Sequence, residues 1–168
     1  MVEAIVFVIF PLCLTLAAFT DFLEMTIPNR IPVVLLGAFA IAAPLAGLGV
    51  TDIGFHLLAG LVVFAVCFAL FAFNVMGGGD AKLLTAAAVW FGLNLSLVSF
   101  LVNVAYIGGA LTLLILLLRA RSNTMMAIGL PLPGSILHAK KIPYGIAIGI
   151  AGLLTYPQSP LVLWAMQP

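Results

Sequence analysis

Between Lys82 and Arg119 stand 36 consecutive residues without a single Lys, Arg, Asp or Glu. Wound as one α-helix they would measure about 54 Å at 1.5 Å per residue, far more than a hydrocarbon core of about 30 Å. The stretch is too apolar to lie in water and too long for one crossing. It therefore predicts two membrane spans joined by a turn. Residues 92–99 are the expected turn, because Asn94, Ser96 and Ser99 supply turn chemistry there. The fit is tight, so the first of these two spans must be short or begin right at Asp80.

The rest of the chain reads the same way. Of its 168 residues 65% are hydrophobic and 7% charged, against about 25% charged in a soluble domain. That composition excludes both a water-facing globule and a disordered chain. Apolar runs cover about residues 4–20, 31–50, 53–76 and 142–156, which with the pair above makes six spans. The expected fold is an all-α integral membrane bundle, one domain over residues 1–168. Pro32 and Pro44 are tolerable in a packed membrane helix. Pro157 and Pro160 break the last span and leave Trp164 as an interfacial anchor. The first run follows Glu3 rather than a basic residue and has no small-residue cleavage site, so it reads as a retained span and not a signal peptide. Residues 122–139, with Pro131, Pro133 and Gly134, form the one long loop, apolar enough to lie on the membrane surface.

With six spans, all the basic residues fall in loops on one side: Arg30, Lys82, Arg119, Arg121, Lys140 and Lys141. The positive-inside rule makes that side cytoplasmic and puts both termini outside. Asp21, Glu24 and Asp80 lie at the same face, so nine of the eleven charged side chains gather there. Glu3 and Asp52 sit at outer span ends, where water solvates them. No basic run suits nucleic acid. Lys140 and Lys141 serve first as topology determinants and second as contacts for lipid headgroups.

An ionisable residue at membrane depth costs about 2.5–3.5 kcal/mol on insertion scales, so each asks for a reason. Asp21 ends an apolar helix and precedes Ile27-Pro28-Asn29, where the proline forces a turn. Asp80 follows Gly77, Gly78 and Gly79, which let backbone approach the carboxylate closely and break the helix, freeing N–H groups that can hold a substrate strand. Lys82 can bias the charge of Asp80 or hold its loop. Two aspartates on different helices at one level suggest a carboxylate pair sharing a proton, one acting as base and the other as acid. Each also has a plain structural reading: Asp21 as a helix end, the glycines as a turn, Glu24 as a solvated loop residue near Arg30. Cys13 and Cys67 read as buried packing residues, and Asn74 and Asn103 as helix–helix contacts. His56 near the outer face and His138 in an inner loop cannot cooperate, and no cluster has metal-ligand spacing, so neither a metal nor a cofactor is expected.

In order along the chain, Asp21 with Ile27-Pro28-Asn29, then Gly77-Gly78-Gly79-Asp80-Ala81-Lys82-Leu83-Leu84, then Lys141-Ile142-Pro143-Tyr144-Gly145 resemble the type IV prepilin peptidases. These are intramembrane aspartyl peptidases with a G-x-G-D motif, and the likeness is greatest to the short form serving Flp-type, tight-adherence pili. The resemblance implies a six-span G-x-G-D bundle in the bacterial inner membrane, with Asp21 and Asp80 catalytic at the cytoplasmic face. It implies site-shaping or substrate-binding roles for Pro28, Asn29, Gly77, Gly78, Gly79, Lys82, Pro143, Tyr144 and Gly145. The implied partner is a prepilin or pseudopilin whose short basic leader is removed. Two departures stand out. Phe22-Leu23-Glu24-Met25-Thr26 occupies a segment that is often basic in the family, and no four-cysteine domain is present, so leader removal without N-methylation is expected. The alternative is a small transporter or pilus-assembly factor that uses the two aspartates to bind ions or protons.

Overall fold

The computed structural model describes residues 2–121 and 142–166, and every regular element among them is a helix. Helix α1 spans Val2–Glu24. Its ladder widens to a π-turn over Ile5–Ile9, just before Pro11, whose ring would clash with a carbonyl four residues back in a regular helix. Tyr156 Oη donates to the carbonyl of Val6 in that turn at 2.8 Å. The helix does not stop at Asp21 as expected. Nothing in Phe22-Leu23-Glu24 breaks it, and it runs one turn further to Met25, which takes a left-handed conformation (φ 53°).

Helix α2 covers Arg30–Leu45, shorter than the apolar run that suggested it. It ends in a Schellman turn: Gly47 at φ 78°, Gly47 N–H donating to Pro44 O at 3.0 Å and Leu48 N–H to Ala43 O at 3.1 Å. Helix α3 covers Val50–Ala72. Asp52, which is exposed, caps it by accepting from Gly49 N–H at 3.2 Å. Its far end repeats the Schellman pattern, with Val75 N–H donating to Leu70 O at 2.9 Å and Asn74 at φ 58°. Asn74 is thus an exposed helix cap and not a helix–helix contact.

Helix α4, Gly78–Phe91, has 14 residues, about 21 Å. It is short and begins two residues before Asp80, close to expectation. The turn after it is only residues 92–94, because Asn94 works on both sides. Its Nδ2 donates to Phe91 O at 2.7 Å and its Oδ1 accepts from Ser96 N–H at 2.8 Å, so Ser96 and Ser99 already belong to α5, Leu95–Ala120. Helix α6, Tyr144–Thr155, is followed by a 3₁₀ turn at Tyr156–Gln158 and by α7, Pro160–Ala165. Trp164 in α7 is partly buried against the core. The expected loop 122–139, His138, Lys140 and Lys141 lie outside the described residues.

Helices α1, α3 and α5 are long and apolar enough to cross a membrane. Large apolar side chains such as Val33, Phe19, Leu61 and Leu154 point outward, each at least 60% exposed, a surface suited to lipid and not to water. The core combines large side chains, among them Trp90, Phe10, Phe91 and Phe100, with small residues at the closest helix contacts. Helix α4 is buried nearly all round, with Ala86, Ala87 and Ala88 fully enclosed, and it packs on α3, α2 and α6. Helix α6 lies along α1 and α5. Its Gly145, Gly149 and Gly152 recur on one helical face, and an added Cβ at any of them would meet Asp21, Ala18 or Leu14 of α1. Close backbone approach through small residues is how membrane helices pack without a hydrophobic drive between them.

Candidate active site

Asp21 and Asp80 come from the two ends of the sequence motif pair and line one cavity of about 280 Å³. Asp21 belongs to the last turn of α1 and is 5% exposed; Asp80 belongs to the first turn of α4 and is 9% exposed. The remaining walls are Met25, Thr26, Ile27 and Asn29 from the α1–α2 loop, Gly77, Gly78 and Gly79, and Ile142. The helix that carries Asp80 starts because Gly77 is extended (φ −71°, ψ 144°) and Gly78 and Gly79 take up the helix. Gly77 therefore caps α4, and Gly78 and Gly79 form its first turn. The first N–H groups of a helix have no backbone partner within it, so this turn gathers donors beside the carboxylate.

Glycine is required at the joins of this site. A Cβ on Gly77 would stand 2.6 Å from Asp80 Oδ2, and one on Gly79 would stand 3.2 Å from Ile27 Cβ. At the start of α6, Gly145 N–H donates to Asp21 Oδ2 at 2.7 Å, and a Cβ there would come within 2.8 Å of the same oxygen. Ile27, buried between Gly79 and Gly145, fills the space that those two glycines leave. Lys82 turns away from the cavity floor and donates from Nζ to Asn29 Oδ1 at 2.9 Å, which joins the first turns of α4 to the α1–α2 loop. This contact holds the α1–α2 loop, whereas the sequence led us to expect Lys82 to hold the loop of Asp80 or to bias its charge. Pro28 is exposed, and its carbonyl accepts from Ile31 N–H at 3.0 Å at the start of α2. Pro143 is the N-cap of α6. Tyr144 faces a second cavity and seats its ring against Gly108 of α5, where a Cβ would strike it.

Glu24 is exposed and does not line the cavity. His56 lies far along the chain's packing from the pair, buried with Nδ1 donating to Val89 O at 2.7 Å near the other end of α4. Cys13 and Cys67 are free and buried, as packing residues should be. Among the described residues no three His, Cys, Asp or Glu side chains converge as a metal group. Sequence reasoning missed Met25, Thr26, Ile27 and Ile142 as wall residues. Ile27 and Ile142 stand inside the motif blocks Ile27-Pro28-Asn29 and Lys141-Ile142-Pro143-Tyr144-Gly145, whereas Met25 and Thr26 carried no signal of a wall role.

Two buried carboxylates on separate helices, facing one cavity at a glycine-opened helix start, are the arrangement an acid–base pair needs. A model of the type IV leader peptidase family matches residues 8–113. The chain belongs to that family. The match takes in Asp21, the whole Gly77–Leu84 block and every other wall residue named above except Ile142. The start of α6 lies beyond it and joins the site through the Gly145–Asp21 hydrogen bond. No curated protein and no solved structure matches the chain.

Proposed function

We propose that the protein is an intramembrane aspartyl endopeptidase that removes the short basic leader from prepilins or pseudopilins, with Asp21 and Asp80 as its catalytic pair. The observation that carries this reading is the shared cavity: two carboxyl groups, each nine-tenths buried or more, from different helices and against the same glycines. Two carboxyls buried in one cavity favour one shared proton. One carboxylate takes a proton from water as the hydroxyl oxygen attacks the scissile carbonyl. The other donates its proton, the C–N bond breaks, and the leaving nitrogen departs as an amine. The products are the leader's new carboxyl terminus and the pilin's new amino terminus. This chemistry needs no serine, cysteine or metal.

The same reading places six spans in the inner membrane with both termini outside and the site at the cytoplasmic face. Support comes from the charges: Lys82 bonds to Asn29, next to Arg30, so two of the basic residues lie at the end of the bundle that holds the cavity. In this orientation the junction between a substrate's polar leader and its membrane helix arrives at the level of Asp21 and Asp80. The same reading has the protein remove the leader without methylating the new amino terminus.

The test is co-expression with a candidate prepilin, followed by the shift of the pilin band on a gel. Asp21→Asn and Asp80→Asn should each abolish the shift while the protein still accumulates in the membrane. Cleavage surviving in either variant removes the pair from the mechanism. An ion-dependent flux through vesicles holding the purified protein, lost in the same variants, would favour the transporter reading instead.

A further inference from the structure

A second cavity, of about 320 Å³, adjoins the first. The two share Gly77, Asp80 and Ile142, so Asp80 stands on the wall between them, whereas Asp21 faces only the first. Their chemistry differs. Beyond the shared residues, the first is walled by Asp21, Thr26, Asn29, Gly78 and Gly79, with Met25 and Ile27 as its apolar members. The second is walled by Leu70, Val75 and Met76 from the end of α3 and by Tyr144 from α6, with Asn74 at its rim. Its position also differs. Helix α3 packs along α4, while α6 packs along α1 and α5, so the second cavity occupies the gap between α3 and α6. At its edge Val75 is 72% exposed. An apolar cavity of about 150 Å³ already accommodates benzene, so this one has room for one or two large apolar side chains.

Resting on the peptidase reading, we infer that this second cavity is the subsite for the first residues of the substrate's apolar segment, and that the polar leader occupies the first. The substrate then enters sideways between α3 and α6, and its scissile bond crosses the wall at Asp80. Gly77 is the residue this path needs small: any Cβ there would stand 2.6 Å from Asp80 Oδ2, at the point where the cavities join. Tyr144 and Met76 set the size of the apolar subsite. Tyr144 seats its ring in the notch left by Gly108, a contact that suits a residue selecting by shape.

The experiment uses full-length protein in lipid vesicles and synthetic peptides that span the leader junction, with Ala, Leu, Phe or Trp as the first residue after the scissile bond. Tyr144→Ala should raise kcat/KM for Trp relative to Leu by about tenfold, and Met76→Trp should shift preference towards Ala by a similar factor, the scale on which one or two methylenes are sorted in an apolar pocket. Thr26→Trp should slow all four peptides alike. Unchanged preference in both Tyr144→Ala and Met76→Trp overturns the assignment, as does a preference that moves with Thr26→Trp. A photoreactive phenylalanine at the same substrate position provides a readout on the wild-type protein, independent of how the variants fold. Crosslinks to the 70–76 segment or Tyr144 are expected, and crosslinks to residues 25–29 would sink the idea. Wild-type protein that leaves every peptide intact defeats the peptidase reading itself. Wild-type cleavage without these shifts defeats only the subsite.

Discussion

The backbone N–H of Gly145, at the start of α6, donates to Oδ2 of Asp21, in the last turn of α1, at 2.7 Å. That bond is possible because residue 145 has no side chain: a Cβ would stand 2.8 Å from the same oxygen and 2.9 Å from Ile27 Cδ1. Gly145→Ala must therefore push Asp21 aside or part α6 from α1. Misplacing a reacting group by about 1 Å can cost about a hundredfold in rate. Leader cleavage by Gly145→Ala should fall by that order, with the protein still present in membranes at near-normal level. Near-normal cleavage would mean that the amide contact does not position Asp21.

Lys82 and Asn29 provide a second check on how the site is held. If Lys82 works by holding the α1–α2 loop through its 2.9 Å bond to Asn29, then Lys82→Met and Asn29→Ala should slow cleavage equally, by several-fold, as fits the loss of one exposed hydrogen bond of about 1 kcal/mol. The double variant should then be no slower than either single one. If Lys82 instead tunes the charge of Asp80, Lys82→Met will be severe and Asn29→Ala silent. Initial rates of all four proteins on one prepilin decide the matter.

How much of this was legible in the sequence depends on whether the signal was local. Spans appear in hydropathy because lipid demands unbroken apolar helices, and Asp21 and Asp80 stand out because charge inside such runs is expensive. Helix ends were harder. The extra turn of α1 beyond Asp21 follows from Met25 adopting a left-handed cap, which its residue type does not announce. Asn94 could be seen as turn chemistry, but that it caps two helices at once, and so shortens the turn to residues 92–94, depends on where its side chain reaches. The Gly145, Gly149 and Gly152 spacing was there to be noticed as a packing face. What it packs against was not, because the contact joins residues 124 positions apart. The second cavity, built from the end of α3 and the start of α6, had no sequence signature at all.

Metal dependence is a separate prediction. Among the described residues the cavity wall offers two carboxylates and no histidine or cysteine, unlike the nitrogen- and sulfur-rich sets that hold catalytic zinc. Cleavage should therefore persist at full rate after dialysis against EDTA and in the presence of a zinc-selective chelator. Loss of activity that added metal restores would require ligands from outside this wall.

His56 separates stability from catalysis. The last carbonyls of α4 have no helical partner, and His56 Nδ1 supplies one to Val89 O at 2.7 Å, with its ring tilted against Phe39 at 5.2 Å between centroids. Asp80 lies nine positions earlier on the same helix, about 14 Å away along its axis. His56→Ala leaves a buried carbonyl unpaired and opens space beneath Gly92, whose backbone packs on the ring. An orphaned buried acceptor costs about 1–3 kcal/mol, so detergent-solubilised His56→Ala should unfold at a temperature several degrees below wild type. Its cleavage rate per folded molecule, measured well below that temperature, should stay within about twofold, because additivity holds for sites this far apart. His56→Gln, which keeps a donor, should recover part of the stability. A loss of cleavage in His56→Ala without a loss of stability would give this histidine a role at the catalytic pair that its position at the far end of α4 does not provide.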